Sequence, residues 1–405
     1  MKPSYKILMI LPQEFMAYHG SGIQVRNRLK AILDKGNCTV DLLTLPLGKD
    51  IRLEHLKIFR VFKIPYTSSD IEFGPSLKKY FYDMALCFYS FALASRKSYD
   101  LVYTHEESGL IGAFVRAIFG IPHVHEMHSF LPQGMCNYGA CKEDDIIYNW
   151  TCRLERFILG HSDQVIAISP DIANQSTDLC PRANITTIEN CFIEGERELD
   201  KVEAELLRRQ YNPDSRPLVV YTGNLSDFQG VDVLLESILH VKKVIPDILL
   251  MIVGLSELEC VECMKWGERN EAERNVLPVP RRPVEDVPLF LNIADCLVSP
   301  RKKGSNTPYK LYAYMAAEKP IVATRNKSHL TAISEREAFL VETNPVDMAR
   351  GIITALKDPV ASLQKAGNAK QLYSRRFAFE SFCKSVQNAI ETTLKDRHGP
   401  YRHHH

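Results

Sequence analysis

Four absences narrow the reading before any motif is considered. No apolar run is long. The longest nearly apolar stretch, residues 84–94, falls well short of the ~18 residues that a membrane-spanning helix needs. No charge dominates: 50 Lys/Arg against 49 Asp/Glu leave +1, which argues against a nucleic-acid binder with a basic face. No disulfide framework is visible, since the eleven cysteines are odd in number and scattered. Nor does a leader precede them: Met1-Lys-Pro-Ser-Tyr runs straight into an apolar segment, so a reducing cytoplasm is expected. Metal ligation is weakly signalled. Cys260 and Cys263 have zinc-like spacing, but no second pair follows, and Cys136, Cys141 and Cys152 lack a fourth ligand. Ordinary thiols and no metal are expected.

What is present is an alternation of strand and helix signals. A chain of 405 residues, 45% hydrophobic, can bury two cores. Short apolar strands are expected at 5–11, 39–45, 100–104, 122–126 and 164–168, with helices between them. Gly20-Ser-Gly22 reads as a loop before a helix from about 23 to 35. Polar residues 190–200 break the pattern, and a charged helix at 198–210 follows. A second series of strands then runs 218–221, 248–253, 275–279, 296–299, 320–324 and 338–341. The expected fold is α/β, with two doubly wound Rossmann-like domains facing across a cleft. The boundaries fall at 1–195 and 196–375, with a last helix at 376–397.

The most pointed stretch is Ser299-Pro-Arg-Lys-Lys-Gly-Ser-Asn-Thr-Pro-Tyr-Lys310. It reads as a strand end, a basic loop and the start of an amphipathic helix. Helix N-termini expose free N–H groups and attract anions. Such a loop suits a diphosphate, with Arg301 and Lys310 as its cations and the N–H groups near Asn306 and Thr307 assisting. Two more polar segments follow buried strands, where clefts form in such sheets. They are Thr104-His-Glu-Glu-Ser-Gly109 and His123-Val-His-Glu-Met-His-Ser129. Alternation sets His123 and His125 on one face, as packed histidines, and Glu126 on the other; His128 lies past the strand. Glu106 and Glu126 could pair with cations or bind hydroxyls. As an acid and base pair they would suggest a glycosidase, but their spacing does not fix a separation.

Together with Tyr221-Thr-Gly-Asn-Leu-Ser-Asp-Phe-Gln-Gly230 and Tyr312-Ala-Tyr-Met-Ala-Ala317, these segments resemble the retaining GT-B glycosyltransferases of family 4. The resemblance implies a nucleotide-sugar donor, UDP- or GDP-linked, and no further cofactor. It places the donor on Gly22, Gly223, Asn224, Arg301, Asn306, Thr307 and Lys310. It makes His128 the histidine that meets the transferred sugar, with Glu126 as the second catalytic candidate. Glu106, Glu107 and Ser129 fall on the acceptor side, and the last helix would cross back to the first domain. Attack would come on the leaving-group face, with the departing phosphate taking the acceptor's proton. The chain also departs from the family. The usual basic residues of the donor turn are replaced by Asn224 and Gln229. The two glutamates that the family spaces eight apart are replaced by Ser305 and Ala313, which resembles a subgroup lacking the second acid. No Asp-x-Asp occurs, in keeping with GT-B, where protein cations and helix ends stabilise the diphosphate.

The acceptor is expected to be a glycan or a lipid-linked glycan. The first hundred residues carry 15 Lys/Arg against 9 Asp/Glu, a bias toward an anionic ligand or a membrane surface that an ordinary solvated face would also show. Residues 78–97, aromatic inside and cationic at both ends, suit either an interfacial helix at the inner face of the membrane or a core helix. Two alternatives stay open: a non-catalytic nucleotide-sugar or glycan-binding subunit, and a nucleotide-sugar 2-epimerase on the same architecture.

Overall fold

The computed structural model describes residues 5–16, 20–63, 76–137, 139–193, 201–304 and 306–397. The chain divides into two compact units, Met1–Asn190 with Phe379–His405, and Cys191–Ala378.

The first unit runs β1 (Tyr5–Ile10), α1 (Gly20–Leu33), β2 (Cys38–Thr44), β3 (Leu56–Arg60), α2 (Leu77–Arg96), β4 (Leu101–His105) and α3 (Gly109–Phe119). It continues with β5 (His123–Met127), α4 (Leu131–Asn137), α5 (Ile146–Gly160), β6 (Gln164–Ala167), α6 (Pro170–Leu179) and β7 (Ile185–Thr187). The strands form one parallel sheet in the order β3-β2-β1-β4-β5-β6-β7. β4, β5 and β6 are buried throughout, which is why their sequences read as unbroken runs rather than alternating ones. Local chemistry fixes the helix starts. Ser76 caps α2 by accepting from Lys79 N, Asp145 caps α5 through Tyr148 N, and Ser169 caps α6 just ahead of Pro170. The strand order reverses at β1. Right-handed crossovers therefore send α1 to one face and α2, α3 and α5 to the other. Tyr82, Leu86, Ile111 and Val115 of that second layer close a core with Leu8, Ile10 and Val102.

Two expectations need correction here. The first helix begins at Gly20, so Gly22 lies within its first turn and not in a loop ahead of it. Two strands, β3 and β7, were not expected; both are sheet edges. Of the helix expected at 198–210, residues 198–200 lie outside the described residues.

The second unit runs α7 (Lys201–Tyr211), β8 (Leu218–Thr222), α8 (Val231–Val241), β9 (Leu249–Leu255), α9 (Glu257–Arg269), β10 (Val276–Pro280), α10 (Val287–Asn292) and β11 (Cys296–Ser299). After it come α11 (Tyr309–Ala316), β12 (Ile321–Thr324), α12 (Lys327–Leu330), β13 (Phe339–Val341), α13 (Pro345–Lys357) and α14 (Pro359–Arg376). Its sheet is parallel, in the order β10-β9-β8-β11-β12-β13. Alternate residues of β8 feed the two cores: Leu218 and Val220 pack with α11 and α14, Val219 and Tyr221 with α8 and α9. Cys260 and Cys263, one helical turn apart on α9, are both buried in that second core. The final helix, α15 (Phe379–Arg397), belongs to the first unit; Gln387 Nε2 donates to the Ala31 carbonyl of α1 at 2.9 Å. Among the described residues no helix is long and apolar enough to cross a membrane.

Candidate functional site

In the first unit the expected residues converge where β4 and β5 end. Glu126 points to the α1 side of the sheet and is almost wholly buried. Arg28 donates to its Oε1 from Nε at 3.1 Å and from Nη2 at 2.7 Å. The Tyr103 hydroxyl donates to Oε2 at 2.5 Å. His128 Nε2 lies 3.3 Å from Oε1, and His105 Nδ1 lies 3.6 Å from Oε2. Burial alone would raise the Glu126 carboxyl, but Arg28 and the histidines outweigh it and hold the group well below its usual range. The neighbours divide accordingly. Burial pushes His105 down to about 3, so it is neutral. His128 is also penalised by burial, yet its bond to Glu126 carries it above the ordinary histidine value. His128 Nδ1 is buried without a hydrogen-bond partner among the described residues.

Glu126 itself was expected to be catalytic, and its geometry corrects this. Both oxygens already accept from protein donors, Arg28 on Oε1 and Tyr103 on Oε2, which leaves Glu126 engaged within the cluster beside His128. His105, Glu126 and His128 offer ligand atoms within 4.8 Å of one another, close enough to share a metal ion. The set does not fit a divalent cation, because Oε1 already serves two cationic groups, Arg28 and His128.

Glu106 holds the loop around His128. Its backbone sits in the left-handed region at φ 49, while Oε1 accepts from His128 N at 3.0 Å and Oε2 from the Ser129 hydroxyl at 3.1 Å. Burial pushes its carboxyl up to about 7, and the fully buried Glu155 of α5 up to about 8. Glu107 turns the other way, to Lys79 Nζ of α2 at 2.5 Å. His123 and His125 are packed: both ring nitrogens bond the Thr104 hydroxyl, at 2.7 and 3.1 Å, and burial pushes each down to about 3.

The second unit gathers the basic loop and the Gly223 turn. Arg301 donates to the Lys303 carbonyl at 2.7 Å and to Asn306 Oδ1 at 3.1 Å. Lys310 Nζ donates to Gln229 Oε1 at 3.1 Å and sits 3.8 Å over the Tyr221 ring. Every oxygen in these bonds is neutral. Burial pushes Arg301 down to about 10 and, aided by the Arg301 charge, holds Lys310 well below the usual lysine value. Two adjoining, largely desolvated cations with neutral partners are costly unless an anion joins them. Glycine makes the close approaches possible. At Gly223, φ 141, a Cβ would fall 2.8 Å from Lys310 Nζ, and at Gly304, φ 146, 2.1 Å from Arg301 Nη2. Lys302, by contrast, is engaged by Asp227 at 3.0 Å and Asp232 at 2.6 Å.

The remaining expected donor residues are less direct. Asn224 spends its side-chain oxygen on the Ser226 N–H, as a turn residue. The Thr307 hydroxyl is buried against that of Thr331 at 2.8 Å. α11 starts only at Tyr309, so Asn306 and Thr307 precede its first turn. Ala313 is packed in the core, and Ser305 lies outside the described residues. Sequence reading missed Arg28, Tyr103 and Glu155. It also missed His329, whose Nε2 meets the Ser299 hydroxyl at 2.8 Å behind the basic loop.

Comparison with known proteins bears on these two clusters. A family model for glycosyltransferase family 4 matches residues 19–192, and one for glycosyl transferases group 1 matches residues 203–372. Anabaena Alr3699/HepE, solved with UDP, covers 96% of this chain and is itself covered completely, at 18% identity and a TM-score of 0.73. The chain has the GT-B fold, and each of its two halves matches a glycosyltransferase family model. Sucrose-phosphate synthase of Thermosynechococcus elongatus shares this GT-B fold at 19% identity, 97% and 100% coverage and a TM-score of 0.76. WaaG, a glycosyltransferase involved in lipopolysaccharide biosynthesis, shares it at 13% identity, 94% and 99% coverage and a TM-score of 0.68. YtcC of Bacillus subtilis (strain 168), named as a glycosyltransferase, is 22% identical over 204 residues; the match spans 46% of this GT-B chain and 48% of YtcC.

Proposed function

We propose that this GT-B chain is a retaining glycosyltransferase that uses a nucleotide sugar, UDP- or GDP-linked, and needs no metal. The observation that carries the reading is the pair Arg301 and Lys310, half-buried basic groups whose hydrogen-bond partners among the described residues are all neutral. A diphosphate supplies the missing negative charge, and the same two cations stabilise it as it leaves. HepE, with UDP in its crystal, supports a uridine nucleotide as the first donor to try. On the first unit, His128 would meet the transferred sugar through Nδ1. Glu106 and Ser129 would shape the acceptor side, and the acceptor would be a glycan or lipid-linked glycan. The departing phosphate would accept the acceptor's proton, so no protein base is required.

The direct test is calorimetric titration with nucleoside diphosphates in excess chelator. UDP or GDP should bind with an affinity nearly unchanged from that in magnesium. Binding that vanishes on chelation would sink the metal-free phosphate site. Arg301→Ala should weaken this binding by about 1.5–3 kcal/mol, the range for a lost charge-assisted bond. Lys302→Ala should change it little, because Asp227 and Asp232 already occupy that ammonium group. A second reading, a nucleotide-binding subunit without turnover, rests on Ala313, which offers no carboxylate to a ribose. Slow release of nucleoside diphosphate from the right donor separates the two, since only an enzyme hydrolyses it.

A further inference from the structure

α2 is apolar on two faces. Tyr82, Leu86 and Ser90 turn inward to the sheet. Leu77, Tyr80, Phe81, Met84 and Phe88, at helical spacing, turn outward, and Phe88 is 72% exposed. The stripe does not stop at this helix. α3 lies beside α2, joined by the Phe91 and Phe119 rings at 5.9 Å, and presents Phe114 and Ile118 to solvent. α5 lies beyond, joined by Phe114 and Phe157 at 6.1 Å, and presents Ile146 and Trp150. Exposed apolar groups scattered singly are ordinary, but a contiguous face across three helices marks an interaction surface.

The charges say what covers it. The exposed charges on the three helices, Arg96, Arg153 and Arg156, are all basic. Their acidic members are withdrawn: Asp83 bonds Lys79 at 2.5 Å, and Glu155 is buried. Beside the layer, Glu143 and Asp144 are exposed in the turn before α5, Asp145 caps that helix, and Glu107 is paired with Lys79. Pairing of two copies through this face would bring arginine against arginine, whereas an anionic surface complements it. Tyr, Trp and Phe amid arginines is the composition that settles at a lipid headgroup boundary.

We propose that the outer face of α2, α3 and α5 docks on a bilayer containing anionic lipid. The proposal stands apart from the donor chemistry, and its test does not involve turnover. The chain has two tryptophans, Trp150 on this face, 60% exposed, and Trp266, partly buried against the core of the second unit. Adding phosphatidylcholine vesicles containing phosphatidylglycerol to the full chain should shift the emission to the blue, and brominated lipid should quench it. Trp150→Phe should remove both signals while the protein still co-sediments with the vesicles. Phe88→Ser should lower partitioning about tenfold, as expected for the loss of one buried aromatic ring, with an unchanged melting curve. Vesicles of phosphatidylcholine alone should bind more weakly, and high salt should erase that difference. The proposal is overturned if vesicles leave Trp150 unshifted. It is equally overturned if binding survives Phe88→Ser undiminished, or if the blue shift appears on raising protein concentration without lipid, which would make this a self-association face.

Discussion

Arg28→Ala is expected to destabilise the first unit by about 3–5 kcal/mol, the range for a buried ion pair that loses one partner. The size follows from what would be left behind. Glu126 is 1% exposed and would keep its charge without the guanidinium that offsets its desolvation. A second loss adds to it, because Arg28 also lies 4.6 Å from the Phe382 ring of α15, helping to fasten the last helix to α1. Linkage gives the pH signature. The Glu126 carboxyl is depressed in the folded chain, so its contribution is complete above the unfolded value of about 4.3 and is lost as pH falls through the folded one. The gap in melting temperature between the native chain and Arg28→Ala should therefore be wide at pH 7 and narrow only as pH falls below about 4. Adding Glu126→Gln to Arg28→Ala should recover part of the loss by removing the stranded charge. A loss below about 1 kcal/mol, typical of a surface pair, would show that Glu126 is held by something other than Arg28.

That ion pair also shows where sequence reading stops. The parallel sheets were legible chiefly from strands such as β4 and β8, which are buried at every position and rich in apolar residues. The edge strands were not. Leu56–Arg60 carries Lys57 and Arg60 on a half-solvated edge, and Ile185–Thr187 is only three residues long. The position of His128 just past a buried strand was legible, because β5 ends at Met127. Arg28 was not, because its partner is 98 positions away and no spacing rule spans that distance. One local sign existed: Val25, Arg28, Leu29 and Ile32 fall on one helical stripe, so Arg28 occupies a core position and needs a buried counter-charge. The charge that the family places at position 229 was read as missing. Lys310 delivers an ammonium group to that very amide, from 81 residues later. For α2 the sequence could not choose between a core helix and an interfacial one, because its apolar residues run round the whole helix and periodicity then carries no direction.

His128→Ala is expected to lower kcat about 10²–10³-fold, the effect of removing one preorganised donor from a reacting centre. Donor affinity should change far less. The reason is the surroundings of the imidazole: Glu126 carries it above the ordinary histidine value, and Nδ1 has no hydrogen-bond partner among the described residues, so its bond is available to charge that develops during transfer. A contact that strengthens mainly in the transition state acts on kcat and spares ground-state binding. The pH dependence follows the same logic. Activity that requires the imidazolium should hold through the ordinary histidine range near 6.5 and fall as pH rises through the elevated value of the folded chain. His123 is the internal control. It is buried more completely than His128, pushed by that burial down to about 3, and bonded to Thr104 on the opposite side of the sheet. His123→Ala should lower the melting temperature while the folded fraction keeps its kcat. If His123→Ala abolished turnover in a folded protein and His128→Ala left it intact, the reacting sugar would have to lie on the other face of β5, and the Arg28–Glu126–His128 chain would be a structural ion pair without a part in transfer.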